Sequence, residues 1–133
     1  MSPLKRSAII LYIEDNPDNR LLIRRVLQAE GMSFHEASNA KEAWMSIQDV
    51  VPDLILMDIN LPEVDGYTLT AQLKAMPQLR TVPIIAMTAN VMKGDRERTL
   101  QAGCDGYIQK PVDIDALPGQ INHFLKEAIR VNH

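Results

Sequence analysis

The residues Leu54-Ile55-Leu56-Met57 form an apolar run with no polar alternation, and the run stops at Asp58. A strand with one face in water alternates apolar and polar side chains, so a run without alternation reads as a strand covered on both faces. That pattern restricts the fold, because sheets buried on both faces are built from parallel strands with helices packed above and below. The residues after Asp58, with Pro62 and the Asp65-Gly66 pair, belong to a loop. In open α/β sheets, chemistry gathers in the crevice beyond the carboxyl ends of the strands. Asp58 is therefore placed either for chemistry or merely to end the strand and organise the turn, and the remaining segments decide between the two.

Ala8 to Ile13 is a second unbroken apolar run, and it ends in Glu14-Asp15. Asn16 suits a helix N-cap and Pro17 the first helical position, where no amide hydrogen is needed. Leu22, Ile23, Val26 and Leu27 then recur at helical spacing, with Arg20, Arg24 and Arg25 pointing away, until Gly31 stops the helix. By itself, Glu14-Asp15 also has a plainer explanation as an acidic pair favoured by the helix dipole, which weighs less than the chemical one once a second acidic strand end appears at Asp58. Ser33 to Ala37 is short and half-polar, as expected nearer a sheet edge. Asn39 and Glu42 have capping-box spacing, and Ala40, Ala43, Trp44 and Ile47 make the stripe of a second helix, with Trp44 expected in the core. Tyr67, Leu69, Leu73 and Met76 predict a third helix from about Gly66, closed by Pro77.

Pro83 to Thr88 is the next apolar strand. The helix expected over Met92 to Ala102, with Gly94 near its start, is mostly polar and should be loosely held. Gly103 ends it, Asp105-Gly106 turns into a short strand, Tyr107 to Gln109, and Lys110-Pro111 closes that strand. The last helix presents Leu117, Ile121, Phe124, Leu125 and Ile129, with Asp115 as its expected N-cap and Pro118 in its first turn. Strands and helices alternate throughout, and right-handed crossovers then give a parallel sheet with helices on both faces.

At 133 residues the chain is expected to be one domain, residues 1–133, with its core from about 7 to 129. The single Cys104 has no internal disulfide partner and fits a small buried side chain in a reducing compartment. A net charge of -3 argues against direct nucleic-acid binding, and no apolar run reaches membrane-span length. A cytoplasmic location is expected.

Four strands end in groups that could serve one reaction: Glu14 and Asp15, Asp58, Thr88, and Lys110. Carboxylates brought within several ångströms repel unless a cation shares their site. An all-oxygen set with open positions suits Mg²⁺, and no His or Cys pair has zinc spacing. Together with a lysine ammonium and a threonine hydroxyl, this is equipment for phosphoryl transfer to Asp58 as nucleophile, with Lys110 neutralising charge and Thr88 donating a hydrogen bond. Lys110 could also serve simply as the ion-pair partner of a nearby acid.

These residues resemble a receiver domain of the bacterial two-component response-regulator family over essentially the whole chain. The resemblance rests on Glu14-Asp15, on Met57-Asp58-Ile59-Asn60-Leu61-Pro62 through Asp65-Gly66, on Thr88-Ala89, and on Lys110-Pro111. It implies a flavodoxin-like three-layer α/β sandwich with a five-stranded parallel sheet of order 2-1-3-4-5 and five helices. It also implies Mg²⁺ held by Asp15, Asp58 and the backbone carbonyl of Asn60, with Glu14 acting partly through water, and a cis peptide before Pro111. Tyr107 falls at the family's aromatic switch position, and Asn60 and Asn90 flank the site.

The implied partners are a histidine kinase or histidine phosphotransfer protein as donor and a downstream protein target. The target would be read by the fourth helix, last strand and last helix, a surface that could also form a homodimer. A free-standing receiver is the first expectation, and a receiver module of a hybrid kinase or multidomain regulator is the close variant. An aspartyl-nucleophile phosphohydrolase would need an acidic residue where Asn60 stands. A nucleotide-binding module would need a glycine-rich loop that the sequence lacks.

Overall fold

The computed structural model describes residues 7–61, 64–89 and 96–131. The apolar runs form β1 (Ile9–Ile13), β3 (Leu54–Asp58) and β4 (Ile84–Thr88), joined by the half-polar β2 (Ser33–Ala37) and the short β5 (Gly106–Gln109). Between them lie α1 (Pro17–Ala29), α2 (Ala40–Asp49), α3 (Gly66–Lys74), α4 (Arg96–Gln101) and α5 (Leu117–Val131), with a 3-10 turn at Pro77–Leu79. The five strands are parallel in the order β2-β1-β3-β4-β5, so β2 and β5 are the edges. Within the described residues, no helix is long and apolar enough to cross a membrane.

Alternate residues of each central strand face opposite layers, which explains the lack of polar alternation. Leu11, Ile13, Ile55, Met57, Ile84 and Ala86 pack with α2 and α3 residues such as Ile47, Leu69 and Leu73. Ile10, Tyr12, Leu54, Leu56, Ile85 and Met87 pack with Ile23 and Leu27 of α1 and Leu117, Ile121 and Leu125 of α5. At the amino ends of the strands, Asp53 Oδ2 accepts from Ile9 N–H at 2.7 Å and Asp105 Oδ2 from Ile84 N–H at 2.9 Å. Each aspartate thus satisfies an amide at the bottom of the sheet.

The helix starts follow local chemistry. Asn16 Oδ1 accepts from Asp18 N–H at 2.8 Å and Asn19 N–H at 3.1 Å, and Pro17 occupies the first turn. Gly31 and Gly103, at φ 79° and 100°, follow α1 and α4 in the left-handed conformation that suits a helix stop.

Several expectations about the helices need correction. Asp113, not Asp115, caps the turn before α5: its Oδ1 accepts from Asp115 N–H at 3.0 Å and Ala116 N–H at 3.3 Å. The Glu42 carboxylate reaches back one residue further than a capping box, to Ser38 N–H and Oγ, both at 2.7 Å. Trp44 is half-buried and belongs to neither core layer, because Ala43 and Ile47 take the inward positions of α2. Leu22 is exposed, since α1 meets the sheet along Ile23 and Leu27, with Val26 packed beside them. Pro62, Asn90, Gly94 and the helix start expected at Met92 lie outside the described residues.

Candidate functional site

A parallel sheet delivers the last residue of every strand to one edge, so strand order decides which side chains meet. Because β1 and β4 both flank β3, Glu14 and Asp15 after β1 and Thr88 at the end of β4 stand to either side of Asp58. Lys110 follows β5, and its backbone N–H donates to the Thr88 carbonyl at 2.8 Å.

The side chains converge. Lys110 Nζ lies 2.8 Å from Asp58 Oδ1 and 3.7 Å from Glu14 Oε1. One carboxylate oxygen each from Glu14, Asp15 and Asp58 lie within 4.8 Å of one another. Glu14 and Asp58 are buried, 2% and 3% exposed, whereas Asp15 is open to solvent. Thr88 is buried at the neighbouring strand end. Asn60 is exposed, and its backbone N–H donates to Asp58 Oδ1 at 3.1 Å. The Lys110–Pro111 peptide is cis. Tyr107 is half-buried against the α2 and α3 layer.

The two buried acids are shifted in opposite directions. Burial pushes the Glu14 carboxyl above its ordinary range and the adjacent Asp58 adds to the rise, with Asn19 and Lys110 offsetting only part of it. Burial also opposes ionisation of Asp58, but its bonds to Glu14, Lys110 and the Asn60 N–H outweigh that and hold its carboxyl below the usual range. Asp58 is therefore the more acidic of the pair and Glu14 the more readily protonated. Three converging carboxyls of this kind, one of them reachable from solvent, are an all-oxygen donor set that fits a hard divalent cation.

Three further residues build this site, and the sequence reading missed them. Tyr12 Oη donates to Glu14 Oε1 at 3.1 Å, and Asn19 Nδ2 donates to the same oxygen at 3.1 Å. The available signal was a lone hydroxyl within the aliphatic run of β1, since a buried tyrosine needs a polar partner. Arg20, expected to point away from the core, instead turns inward. Its Nη1 donates to the carbonyls of Glu14 at 2.7 Å and Asp15 at 3.0 Å. It does so because Glu36 on β2 holds its Nε at 3.0 Å, a contact that helical periodicity cannot register.

The family model described as the response regulator receiver domain matches residues 10–122. The polar-differentiation response regulator DivK of Brucella anthropi is 42% identical over 119 residues, 90% of this chain and 97% of that protein. Among experimental structures, the receiver domain of a sensor histidine kinase from Pseudomonas aeruginosa is 38% identical with a TM-score of 0.81, covering 90% of this chain and 98% of that one. Its magnesium ion is coordinated in the active site cleft. The chemotaxis response regulator CheY4 of Vibrio cholerae shares the fold, with a TM-score of 0.84 at 22% identity over 89% of this chain and 98% of that one.

Proposed function

The chain belongs to the response regulator receiver family, and from that premise we propose that Asp58 is its phosphoacceptor. The observation that carries this reading is the Lys110 ammonium 2.8 Å from Asp58 Oδ1, within the cluster formed with Glu14 and Asp15. Asp58 is held ionised and needs no base to act as nucleophile. Its oxygen bonds to the phosphorus of a phosphohistidine on a histidine kinase or phosphotransfer protein as the P–N bond breaks, and the departing imidazole nitrogen takes a proton from solvent. Lys110 follows the charge onto the phosphoryl oxygens, and the Thr88 hydroxyl donates to one of them.

Asp15, Asp58 and the Asn60 backbone carbonyl, with Glu14 partly through water, would hold Mg²⁺, and the magnesium described in the Pseudomonas relative supports that choice. Such an ion, when bound, supplies countercharge to the phosphoryl oxygens. The chain's own chemistry is limited to its phosphoryl transfer and dephosphorylation, and its output is a change of shape.

Phosphorylation adds about two negative charges at the sheet edge. Thr88 is drawn toward them, Tyr107 takes up the space released, and the α4, β5 and α5 surface changes for a downstream protein or a second copy of the chain. The chain then acts as a single receiver domain in the cytoplasm, a reducing compartment that suits the buried free thiol of Cys104.

Incubation with acetyl phosphate and Mg²⁺, followed by mass spectrometry of the intact chain and its peptides, tests the assignment. One phosphoryl group on Asp58, lost in Asp58→Asn, is the expected result. Label retained elsewhere in that variant overturns it.

A further inference from the structure

We propose that Arg20 is a positioning residue for Glu14 and Asp15 and thereby sets how tightly the acidic cluster takes a divalent cation, an inference that rests on the reading of the site above. The Glu14 N–H is the last backbone group tying this segment to β2, bonding to the Ala37 carbonyl at 2.9 Å. Beyond it the chain has left the sheet, yet it must still aim two carboxyls at Asp58. Arg20 Nη1 spans the two consecutive carbonyls, at 2.7 Å to Glu14 and 3.0 Å to Asp15.

The guanidinium is itself fixed. Its Nε bonds Glu36 Oε1 at 3.0 Å with only 16% of the arginine side chain exposed, and the other Glu36 oxygen is paired with Arg24. A rigid planar fork anchored on β2 thus holds the backbone from which Glu14 and Asp15 project. Its fixed positive charge by itself opposes a second cation nearby, so the gain in affinity comes from positioning. Groups that orient metal ligands from behind typically change metal affinity by about 10- to 100-fold when removed.

The test is calorimetric titration of Mg²⁺ into the wild type, Arg20→Gln, Arg20→Lys and Glu36→Gln, with thermal melts in chelator beside it. Arg20→Gln is expected to weaken Mg²⁺ binding by about tenfold or more. Arg20→Lys should recover little, because one ammonium cannot span both carbonyls and Glu36 together. Glu36→Gln should weaken binding in the same direction by less. Unchanged Mg²⁺ affinity in Arg20→Gln, whatever its melting temperature, overturns the proposal, since Arg20 would then only tie α1 to β2. Full recovery by lysine overturns it too, since a single ammonium would then serve and the span of both carbonyls would not matter.

Should circular dichroism show Arg20→Gln unfolded, Arg20→Lys and Glu36→Gln decide, and wild-type affinity in both overturns the assignment. The wild type separates the two levels of inference. If it binds no Mg²⁺, the reading of the whole site fails; if it binds and the variants bind equally, only the role of Arg20 does.

Discussion

Cys104 shows how burial alone sets the chemistry of a residue. Its thiol is packed beneath α3, with Sγ 3.8 Å from Thr70 Oγ1. Burial, only partly offset by Thr70, pushes it from 9.0 up to about 11. At pH 8 the native thiolate is then about a hundredfold scarcer than in the unfolded chain. Iodoacetamide should leave the native protein unmodified over a period in which the urea-unfolded chain reacts fully, as peptide mass spectrometry would show. Because the unfolded state loses this proton first, its contribution to stability is fully present below pH 9 and is lost as pH rises toward about 11. Gly66 is constrained by space instead. A Cβ there would lie 2.6 Å from Ile59 Cα and 2.8 Å from the Asp58 carbonyl oxygen, so Gly66→Ala must displace the backbone behind Asp58. We expect a loss of about 1–3 kcal/mol in urea denaturation, together with impaired labelling of Asp58.

At the scale of elements, the start of α1 and the packing of α4 bear on stability in different ways. Asn16 satisfies two amides at the start of α1. Asn16→Ala should cost about 1 kcal/mol, measured by chemical denaturation. Among the described residues of α4, Arg96–Gln101, Leu100 is exposed and Thr99 is buried. The helix meets α3 through polar and cation–π contacts: Thr99 Oγ1 lies 3.5 Å from Tyr67 Oη, and the Arg98 guanidinium sits 4.6 Å over the Tyr67 ring and 3.9 Å from Asp65. Its amides should exchange hydrogen faster than those of α5, whose Leu117, Ile121 and Leu125 are buried, and Arg98→Ala should widen that difference. Equal protection of the two helices would contradict the view of α4 as the adjustable part of the output surface.

Across the whole molecule, two apolar layers share one sheet, so damage to either is felt by both. Leu56, fully buried on β3, reaches the α1 and α5 layer from the same strand that ends in Asp58. Leu56→Ala should lower stability by about 2–5 kcal/mol in a single denaturation transition. Most element positions were legible before any coordinates, because their signals are local: unbroken apolar runs for β1, β3 and β4, Asn16 and Asn39 for helix starts, Gly31 and Gly103 for stops. So were the polar residues at the strand ends. The half-exposed place of Trp44 and the inward turn of Arg20 were not, since each depends on what another segment offers, whereas the Asp113 cap is local and was misplaced by two residues between two nearby aspartates. Strand order came from family resemblance, and periodicity alone could not have supplied it. The sequence by itself thus determined which residues stand at the tips of the strands. Only the tertiary structure decided which tips touch, because Lys110 and Asp58, 52 residues apart, meet through sheet pairing that no local pattern encodes.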